Sequence, residues 1–319
     1  MISSDLHILV TGAHGLVGSA VTDRLRAIYG VANVFPLTRK DADLRDLDET
    51  TKVFRYLKPD LVVHAAATVY GLGGNMANQA KSIFDNTLIN TNVVDASRSV
   101  GVKKIIAMGT NAVYPWPPQL PYREETIFNG RPHDGESGYG HAKRHLLAML
   151  EAYKSSYGLD YCYLVSGNLY GPRDTFNVET GHVLPSLVKK FYDASQDPGK
   201  MVVVWGDGSQ SRDFLYVEDL ARIIRYSLVS PFMVGAVNTG YGKSHNLIEV
   251  CNELTKLSGV GYDRVFFDTS RPVGRPDCMS DLSKLRAVGF DPQFTLAHGL
   301  ALTYKWYHDK RQQSCADYG

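Results

Sequence analysis

Tyr139 and Lys143 are the residues whose types and spacing most clearly suggest chemistry. Residues four apart on a helix lie on one face, with Cβ atoms about 5–6 Å apart. A phenol normally titrates near pH ~10, and a fixed cation beside it favours the phenolate and brings its pKa closer to the working pH. The pair therefore predicts a proton donor for a carbonyl oxygen, made effective near neutral pH by an ammonium group.

Three glycines near the N-terminus suggest a partner for that donor. Gly12, Gly15 and Gly18 follow the apolar segment 6–11 and precede an amphipathic segment, which we interpret as a strand, a turn and a helix. The first glycine allows the turn, the second lets backbone approach a diphosphate, and the third lets the helix pack on the strand. The helix N-terminus would face the diphosphate with its positive dipole end. The run Gly-x-x-Gly-x-x-Gly predicts a bound dinucleotide.

A hydroxyl at the end of the fourth predicted strand would complete the catalytic set. Thr110 follows the apolar segment 104–108, and we predict that it hydrogen-bonds the substrate carbonyl. Together with Tyr139 and Lys143, it predicts transfer of a hydride to or from a carbonyl carbon.

The end of the second predicted strand indicates which dinucleotide is bound. An acidic residue there favours NAD through the ribose hydroxyl, whereas an arginine accommodates the 2′-phosphate of NADP. The chain has Arg39 and Lys40 at this point, with His14 inside the glycine loop, although Asp41 follows and argues the other way. We assign the phosphate to Arg39 and predict NADPH/NADP as the cofactor.

Short apolar runs that alternate with helical stretches predict an α/β fold. The predicted strands are 6–11, 34–38, 61–65, 104–108 and 161–165, and the helices between them are about 16–26, 48–57, 87–100 and 137–157. This pattern is typical of a Rossmann-like doubly wound parallel sheet covered on both faces. Ser137 is the predicted N-cap of the last helix.

The alternation ends at Gly171, where we predict the start of a smaller C-terminal α/β substrate domain. The dinucleotide-binding domain would span 1–170 and the second domain mainly 171–319. A helix at 217–228 and a strand at 236–239 are expected to return to the first domain, so 215–240 would belong to it.

The composition excludes several classes of protein. The chain has 319 residues, 44% hydrophobic and 21% charged, as in an ordinary globular protein. A net charge of +1 gives no reason to expect nucleic acid or an anionic membrane as a partner. No segment approaches the roughly 20 apolar residues of a membrane span. Four scattered cysteines predict free thiols and a cytoplasmic location.

These residues resemble the extended short-chain dehydrogenase/reductase family and, within it, the GDP-L-fucose synthase branch. The likeness covers nearly the whole chain, and its closest stretches are 10–18, 139–143, 167–172, 176–185, 204–208 and 212–215. The resemblance implies a homodimer with NADPH in the first domain and a GDP-sugar in the second.

The resemblance also completes the predicted site. With the residues derived above, the predicted cofactor-binding residues are Gly12, His14, Gly15, Leu16, Val17, Gly18, Arg39, Ala65, Ala66, Lys143 and His182. The implied nucleotide-sugar contacts are Asn168, Val183, Leu187, Lys190, Trp205 and Arg212, with Arg275 a looser candidate for a diphosphate partner.

One position departs from the pattern of that branch. Its loop after strand four reads like Gly-Ser-Ser-Cys-Ile-Tyr-Pro, and the resemblance implies that the cysteine works with a histidine, matched here by His182, to epimerise carbons flanking the ketone. The chain has Ala112 where the cysteine stands. Epimerisation takes a proton from one face of the sugar and returns one to the other, so it normally needs two acid/base groups. We therefore predict loss or strong slowing of epimerisation.

The predicted activity is reduction of the C4 ketone of a GDP-4-keto-6-deoxy sugar, hexose or heptose, in surface polysaccharide synthesis. One alternative stays open: another group replaces the thiol, and the chain is a full epimerase/reductase. A second alternative, from a different class, is a non-catalytic dinucleotide-binding sensor. The complete set of Thr110, Tyr139 and Lys143 argues against the sensor.

Two further patterns point to other chemistry and are weaker. His141 and His145 have the spacing of zinc ligands, but the glutamate of His-Glu-x-x-His is missing, so we predict no metal site. The segment 242–244 resembles the end of a phosphate-binding P-loop, but Val237 stands where the motif requires glycine. A kinase or nucleotide hydrolase is therefore disfavoured.

Overall fold

The computed structural model describes residues 6–179, 181–270 and 279–316. Its strands are β1 (Ile8–Thr11), β2 (Val34–Leu37), β3 (Leu61–His64), β4 (Lys104–Met108), β5 (Asp160–Ser166), β6 (Asn168–Tyr170), β7 (Val202–Trp205), β8 (Ser211–Tyr216), β9 (Gly235–Thr239), β10 (Ser244–Asn246) and β11 (Val265–Asp268). Its helices are α1 (Leu16–Tyr29), α2 (Leu47–Leu57), α3 (Leu72–Ala77), α4 (Gln79–Ser99), α5 (Ser137–Tyr157), α6 (Val183–Gln196), α7 (Val217–Val229), α8 (Leu247–Ser258), α9 (Ser283–Ala287) and α10 (Leu296–Ala316).

The largest sheet has six strands in the order β2-β1-β3-β4-β5-β9, and every neighbouring pair is parallel. Such strands are buried on both faces, which explains their near-continuous apolar sequences. The strand order reverses between β1 and β3, so a crevice opens at the carboxyl ends of these two strands. The predicted parallel α/β sheet is confirmed.

Helices cover both faces of this sheet. On one face, Phe54 of α2, Val93 of α4 and Leu146 of α5 belong to a single buried core. On the other face, Val21 of α1 and Ile224 of α7 belong to a second core. Complete burial of such side chains supplies about 1.5–3 kcal/mol each, which fixes the sheet that carries the crevice.

A second region packs beside the sheet around its own core. It contains the small sheet β10-β8-β6 and the parallel pair β11-β7. Phe191 of α6, Val250 of α8 and Leu300 of α10 form its buried centre with Val204 and Phe214. The chain passes from this region back to the large sheet through α7 and β9, the two elements expected to return.

Helix α4 starts well before the position that the sequence pattern predicted. The buried residues of its first turns are polar, so apolar periodicity does not reveal them. They have tertiary partners: the Asn86 side chain accepts from the Thr68 N–H at 2.9 Å and donates to the Thr68 carbonyl at 2.8 Å. Asp85 pairs with Lys81 at 3.0 Å. Tertiary partners therefore extend this helix beyond its apolar face.

The predicted N-cap of α5 is wrong. Ser137 is the first residue of the helix, and Glu136 occupies the cap position without a side-chain cap hydrogen bond. The Oε1 atom of Gln79 accepts from the Gly138 N–H at 2.6 Å instead. A side chain from α4 thus satisfies the helix terminus that Ser137 was expected to cap. Within the described ranges, no helix combines the length and apolar character that crossing a bilayer requires.

Candidate functional site

A cavity of about 1210 Å³ opens at the carboxyl ends of β1, β3 and β4 and extends to the second region. It is lined by all the sequence-predicted site residues that the structure describes: Gly12, His14, Gly15, Leu16, Val17, Gly18, Arg39, Ala65, Ala66, Thr110, Tyr139, Lys143, Asn168, His182, Val183, Leu187, Lys190, Trp205 and Arg212. Arg275 lies outside the described residues. The structure brings the predicted set together, while the role of each residue stays a prediction.

The glycine loop forms a cradle that side chains would fill. Gly12 has φ +68°, and a Cβ atom there would lie 2.8 Å from the Cα of Ala66. A Cβ on Gly18 would run into the Gly12 carbonyl oxygen, whereas one on Gly15 would meet only that oxygen, at 3.4 Å. Gly15 is the cap residue of α1, and no side chain caps this helix. An uncapped helix N-terminus behind open backbone fits a diphosphate.

The residues beyond β2 favour a phosphate over a ribose hydroxyl. Asp41, which argued for NAD, accepts hydrogen bonds from the Thr38 N–H at 2.8 Å and the Thr38 hydroxyl at 2.7 Å. These bonds lower the pKa of Asp41 and commit its carboxylate to its own turn. Arg39 lines the cavity, has a 73% exposed side chain and lies 3.7 Å from Asp43. Its guanidinium can therefore reach a ligand phosphate.

Lys143 is held firmly inside the site. Its side chain is 1% exposed, and its Nζ donates to the Met108 carbonyl at the end of β4 at 2.8 Å. The same Nζ lies 5.8 Å from the centre of the Tyr139 ring, as the four-residue spacing predicts. Burial lowers the pKa of Lys143 to about 8, because the ammonium loses its hydration.

In the protein without cofactor, the predicted direction of the Tyr139 pKa shift is wrong. The sequence predicted that the neighbouring cation, together with the positive nicotinamide of a bound oxidised cofactor, would lower this pKa. Burial instead raises the pKa of Tyr139, and the charge of Glu136 raises it further. Desolvation is the larger of the two causes, and with this raised pKa the phenol is neutral over the ordinary pH range. A neutral phenol can donate a proton, as reduction of a ketone requires.

The loop after β4 places a hydroxyl and a methyl group beside this pair. The Thr110 hydroxyl oxygen accepts from the Ala112 N–H at 3.3 Å, which leaves its own hydrogen available to a ligand. Ala112 is 4% exposed and lines the cavity. Its methyl group cannot take or return a proton, so this position carries no acid/base function.

A buried chain of hydrogen bonds behind the site was missed by sequence reasoning. His64 lies with Nδ1 2.9 Å from the Thr11 hydroxyl and Nε2 3.1 Å from the Asn90 carboxamide oxygen. Asn90 then donates to the Ala142 carbonyl at 3.1 Å. Burial, with the nearby Lys143 charge, lowers the pKa of His64 to about 3, so the ring is neutral. The chain ties β1 and β3 to the turn of α5 that carries Lys143.

The far wall of the cavity comes from the second region. Val183, Leu187 and Lys190 recur along one face of α6. The Nζ of Lys190 donates to the Val203 carbonyl at 2.7 Å and lies 6.0 Å from the ring of Trp205, which is 42% exposed. This wall offers aliphatic surface, an indole ring and a cation together.

Arg212 adds a second cation to this wall, from β8. Its guanidinium donates to the Ser211 carbonyl at 2.7 Å. Two fixed cations and an accessible aromatic ring suit a nucleotide with a diphosphate.

Four acidic residues that line the cavity were also missed: Asp43, Glu136, Asp174 and Glu179. Glu136 directly precedes α5, and Asp174 follows β6 in an irregular segment. None of the four stands in a spacing that indicates chemistry, so only the folded arrangement reveals them. In the described part of the chain, no three histidine, cysteine or acidic side chains lie together as metal ligands.

Comparison with known proteins agrees with this geometry. Residues 8–239 match the NAD dependent epimerase/dehydratase family. A probable GDP-L-fucose synthase 1 from Oryza sativa subsp. japonica is 36% identical over 301 residues, covering 94% of this chain and 91% of the relative.

Two solved structures from Campylobacter jejuni are similar over the whole fold. A GDP-6-OMe-4-keto-L-xylo-heptose reductase superposes with a TM-score of 0.90 at 27% identity, covering 97% of this chain and 99% of that one. A GDP-mannoheptose C4 reductase with NADP bound gives a TM-score of 0.85 at 28% identity, covering 97% and 100%. The predicted family, fold class and assignment to a dinucleotide-dependent oxidoreductase are confirmed.

Proposed function

Because the chain belongs to the NAD dependent epimerase/dehydratase family, we propose that it is an NADPH-dependent reductase without effective epimerase activity. Its substrate would be the C4 ketone of a GDP-4-keto-6-deoxy sugar, a hexose or a heptose, in surface polysaccharide synthesis. The names of similar proteins support a GDP-sugar as the substrate, since they include a probable GDP-L-fucose synthase and GDP-heptose reductases. The observation that supports the proposal is that Thr110, Tyr139 and Lys143 line the same cavity as the glycine loop, together with Ala112.

The residues of the cradle fit NADPH, which supplies the hydride when it is bound. Gly15 and the N-terminus of α1 would hold the diphosphate, and Arg39 the 2′-phosphate. His14 of the glycine loop, Leu16 and Val17 in the first turn of α1, and Ala65 and Ala66 after β3 would complete the cofactor contacts. The NADP in the similar heptose reductase supports this choice.

The protein groups then divide the work at the ketone. Thr110 donates a hydrogen bond to the carbonyl oxygen and orients it. Tyr139, kept neutral by burial, gives that oxygen its proton. Lys143, anchored on Met108, places a positive charge near the phenolate that remains.

The second region would hold the nucleotide sugar. We assign the diphosphate to Lys190 and Arg212 and the base to the accessible ring of Trp205. Asn168 would bond the sugar, and Val183 and Leu187 would supply apolar contact. The division at residue 170, the homodimer and the cytoplasmic location stay predictions.

A panel of 4-keto-6-deoxy sugars linked to GDP, UDP, dTDP or CDP tests the proposal directly. With the purified protein and NADPH, we expect oxidation of the cofactor at 340 nm to be fastest with a GDP-sugar by at least about tenfold, since a lost base contact costs about 1–3 kcal/mol. Preference for another base would refute the GDP assignment. No oxidation with any sugar, despite tight NADPH binding, would favour the dinucleotide sensor.

The full GDP-L-fucose synthase is the second candidate, favoured by the names of the curated relatives. His182 is present in the cavity, and a group other than a thiol could serve as its partner. The two candidates differ in one product property, the configuration of the carbons beside the former ketone.

A further inference from the structure

The loop between β6 and α6 brings an acidic residue and a histidine together. Asp174 lies at its start and His182 at its end, and both line the cavity. The loop folds back on itself: the Asn177 N–H donates to the Thr175 carbonyl at 2.9 Å, and the Gly181 N–H donates to the Asn177 carbonyl at 3.0 Å.

Gly181 makes this closure tight. A Cβ atom at Gly181 would overlap the carbonyl oxygens of Thr175 and Asn177. Thr175, which follows Asp174, and Gly181, which precedes His182, are therefore in direct contact. This backbone arrangement brings the two ends of the loop together, and the charge of His182 acts on the Asp174 carboxylate.

The Asp174 carboxylate is incompletely satisfied. Its Oδ1 accepts from the Thr175 N–H at 2.7 Å, while its Oδ2 is buried without a hydrogen-bond partner among the described residues. A buried carboxylate oxygen without a hydrogen-bond donor costs free energy. The oxygen therefore favours a hydrogen bond to a mobile donor side chain. Burial raises the pKa of Asp174, and the charge of His182 opposes this rise.

His182 is the matching donor. It is exposed to the cavity at the cap position of α6, and its side chain makes no cap hydrogen bond there. An imidazole held by a carboxylate keeps one nitrogen directed away from that carboxylate. The second nitrogen would then face the bound sugar.

We propose that Asp174 is a positioning residue that accepts a hydrogen bond from His182. The imidazole of His182 would then transfer a proton at one carbon beside the substrate ketone, without a second acid/base group. This inference rests on the proposed function, since the ketone must be held at Tyr139. With Ala112 unable to act as a second acid or base, the site would exchange a proton with solvent and keep the configuration of that carbon.

The exchange balances without an oxidant or a reductant. A nitrogen of His182 removes the proton from the carbon. The electron pair of the broken C–H bond forms the carbon–carbon double bond of an enol, and the carbonyl oxygen takes the proton of Tyr139. On return, the oxygen gives that proton back to Tyr139. The double-bond pair then takes a deuteron from the solvent-exchanged imidazolium, on the face from which the proton left.

Deuterium exchange tests this inference on the complete protein with NADP⁺ bound in place of NADPH, so that the ketone cannot be reduced. The protein is incubated with GDP-4-keto-6-deoxymannose in deuterium oxide, and the recovered sugar is analysed by mass spectrometry and NMR. We expect deuterium at a carbon beside the ketone, faster than without protein, with the original configuration. Exchange at the protein-free rate, or exchange with inversion, would overturn the inference.

Variants identify the role of Asp174. In Asp174→Asn, the ratio of the exchange rate to the NADPH reduction rate should fall at least about tenfold, within the range for a misplaced acid/base group. Asp174→Glu should recover part of the exchange. Asp23→Asn is the matched control, because Asp23 is exposed and bonds the neighbouring Arg173 at 2.8 Å. It should retain the wild-type ratio.

The controls separate this inference from the proposed function. Thermal unfolding of each variant reports whether the fold is retained, and a merely structural role for Asp174 would lower exchange and reduction together. An unchanged exchange rate in Asp174→Asn would remove its positioning role. If wild-type protein reduces the sugar with NADPH but shows no exchange, only the inference fails. If it does not reduce the sugar at all, the proposed function fails instead.

Discussion

The two walls of the cavity are built in different ways. On the dinucleotide wall, Gly12 and Gly15 belong to one loop, and Tyr139 and Lys143 belong to one turn of a helix. On the proposed sugar wall, the residues come from four elements, β6, α6, β7 and β8, and they share no short motif. Local spacing therefore specifies the dinucleotide wall, whereas only packing of the second region assembles the other.

The walls also differ in how firmly their polar groups are fixed. Lys143 and His64 are fully buried and bonded to backbone or side chains of several elements. Arg212 and Trp205, on the opposite wall, lie partly open to solvent. A buried lysine at the predicted reaction centre, facing more open sugar contacts, suits a constant reaction on a variable sugar.

Removal of the proton donor should abolish most of the activity. We expect Tyr139→Phe to lower kcat for ketone reduction by about 10²–10⁴-fold, the usual contribution of a general acid, while NADPH affinity stays close to wild type. Steady-state NADPH oxidation and fluorescence titration of NADPH measure the two quantities. Tyr153→Phe, on the same helix outside the cavity, is the control. A loss smaller than tenfold would mean that another group protonates the ketone.

Adjacent lysines on α6 test the sugar wall. Lys190 lines the cavity, whereas Lys189 pairs with Asp193 at 2.7 Å. Lys190→Ala should raise KM for the GDP-sugar about 10–100-fold through loss of a charged contact, with little change in NADPH affinity. Lys189→Ala should leave both values near wild type. Equal effects of the two substitutions would show that the sugar binds elsewhere.

Cofactor choice should depend on Arg39. Arg39→Ala is expected to weaken NADPH binding about tenfold, because an exposed charge–phosphate contact contributes roughly 1.5 kcal/mol, and to leave NADH binding unchanged. Dissociation constants for both dinucleotides give the answer. Arg55→Ala, an exposed site on α2, controls for the change in net charge. Parallel weakening of NADPH and NADH would remove Arg39 from the phosphate site.

The smallest effect concerns pH. Burial lowers the pKa of Lys143 to about 8, below its usual value, so the ammonium is lost as the pH rises through this range. Tyr139 has a raised pKa and stays protonated there. We expect kcat/KM for reduction to be halved near pH ~8 and to fall further at higher pH. A flat profile up to pH ~10 would show that Lys143 keeps its charge and that burial does not control it.

Sequence reasoning succeeded where local signals decide the structure. The strand Lys104–Met108 and the helix Ser137–Tyr157 have the predicted bounds, because apolar runs and helical periodicity are properties of neighbouring residues. It failed where distant partners decide. Gln79 caps α5 from another helix, and polar partners start α4 early. The direction of the Tyr139 pKa was missed because burial cannot be read from spacing.

We expect this site to reduce the ketone without inverting the neighbouring carbons, because Ala112 stands where a proton-transferring thiol would be needed. NMR of the product formed from GDP-4-keto-6-deoxymannose and NADPH decides the question. We expect a single new hydroxyl at C4, with the configurations at C3 and C5 those of the substrate, and inverted product only after Ala112→Cys. Inversion at C3 and C5 by the wild-type protein would contradict it.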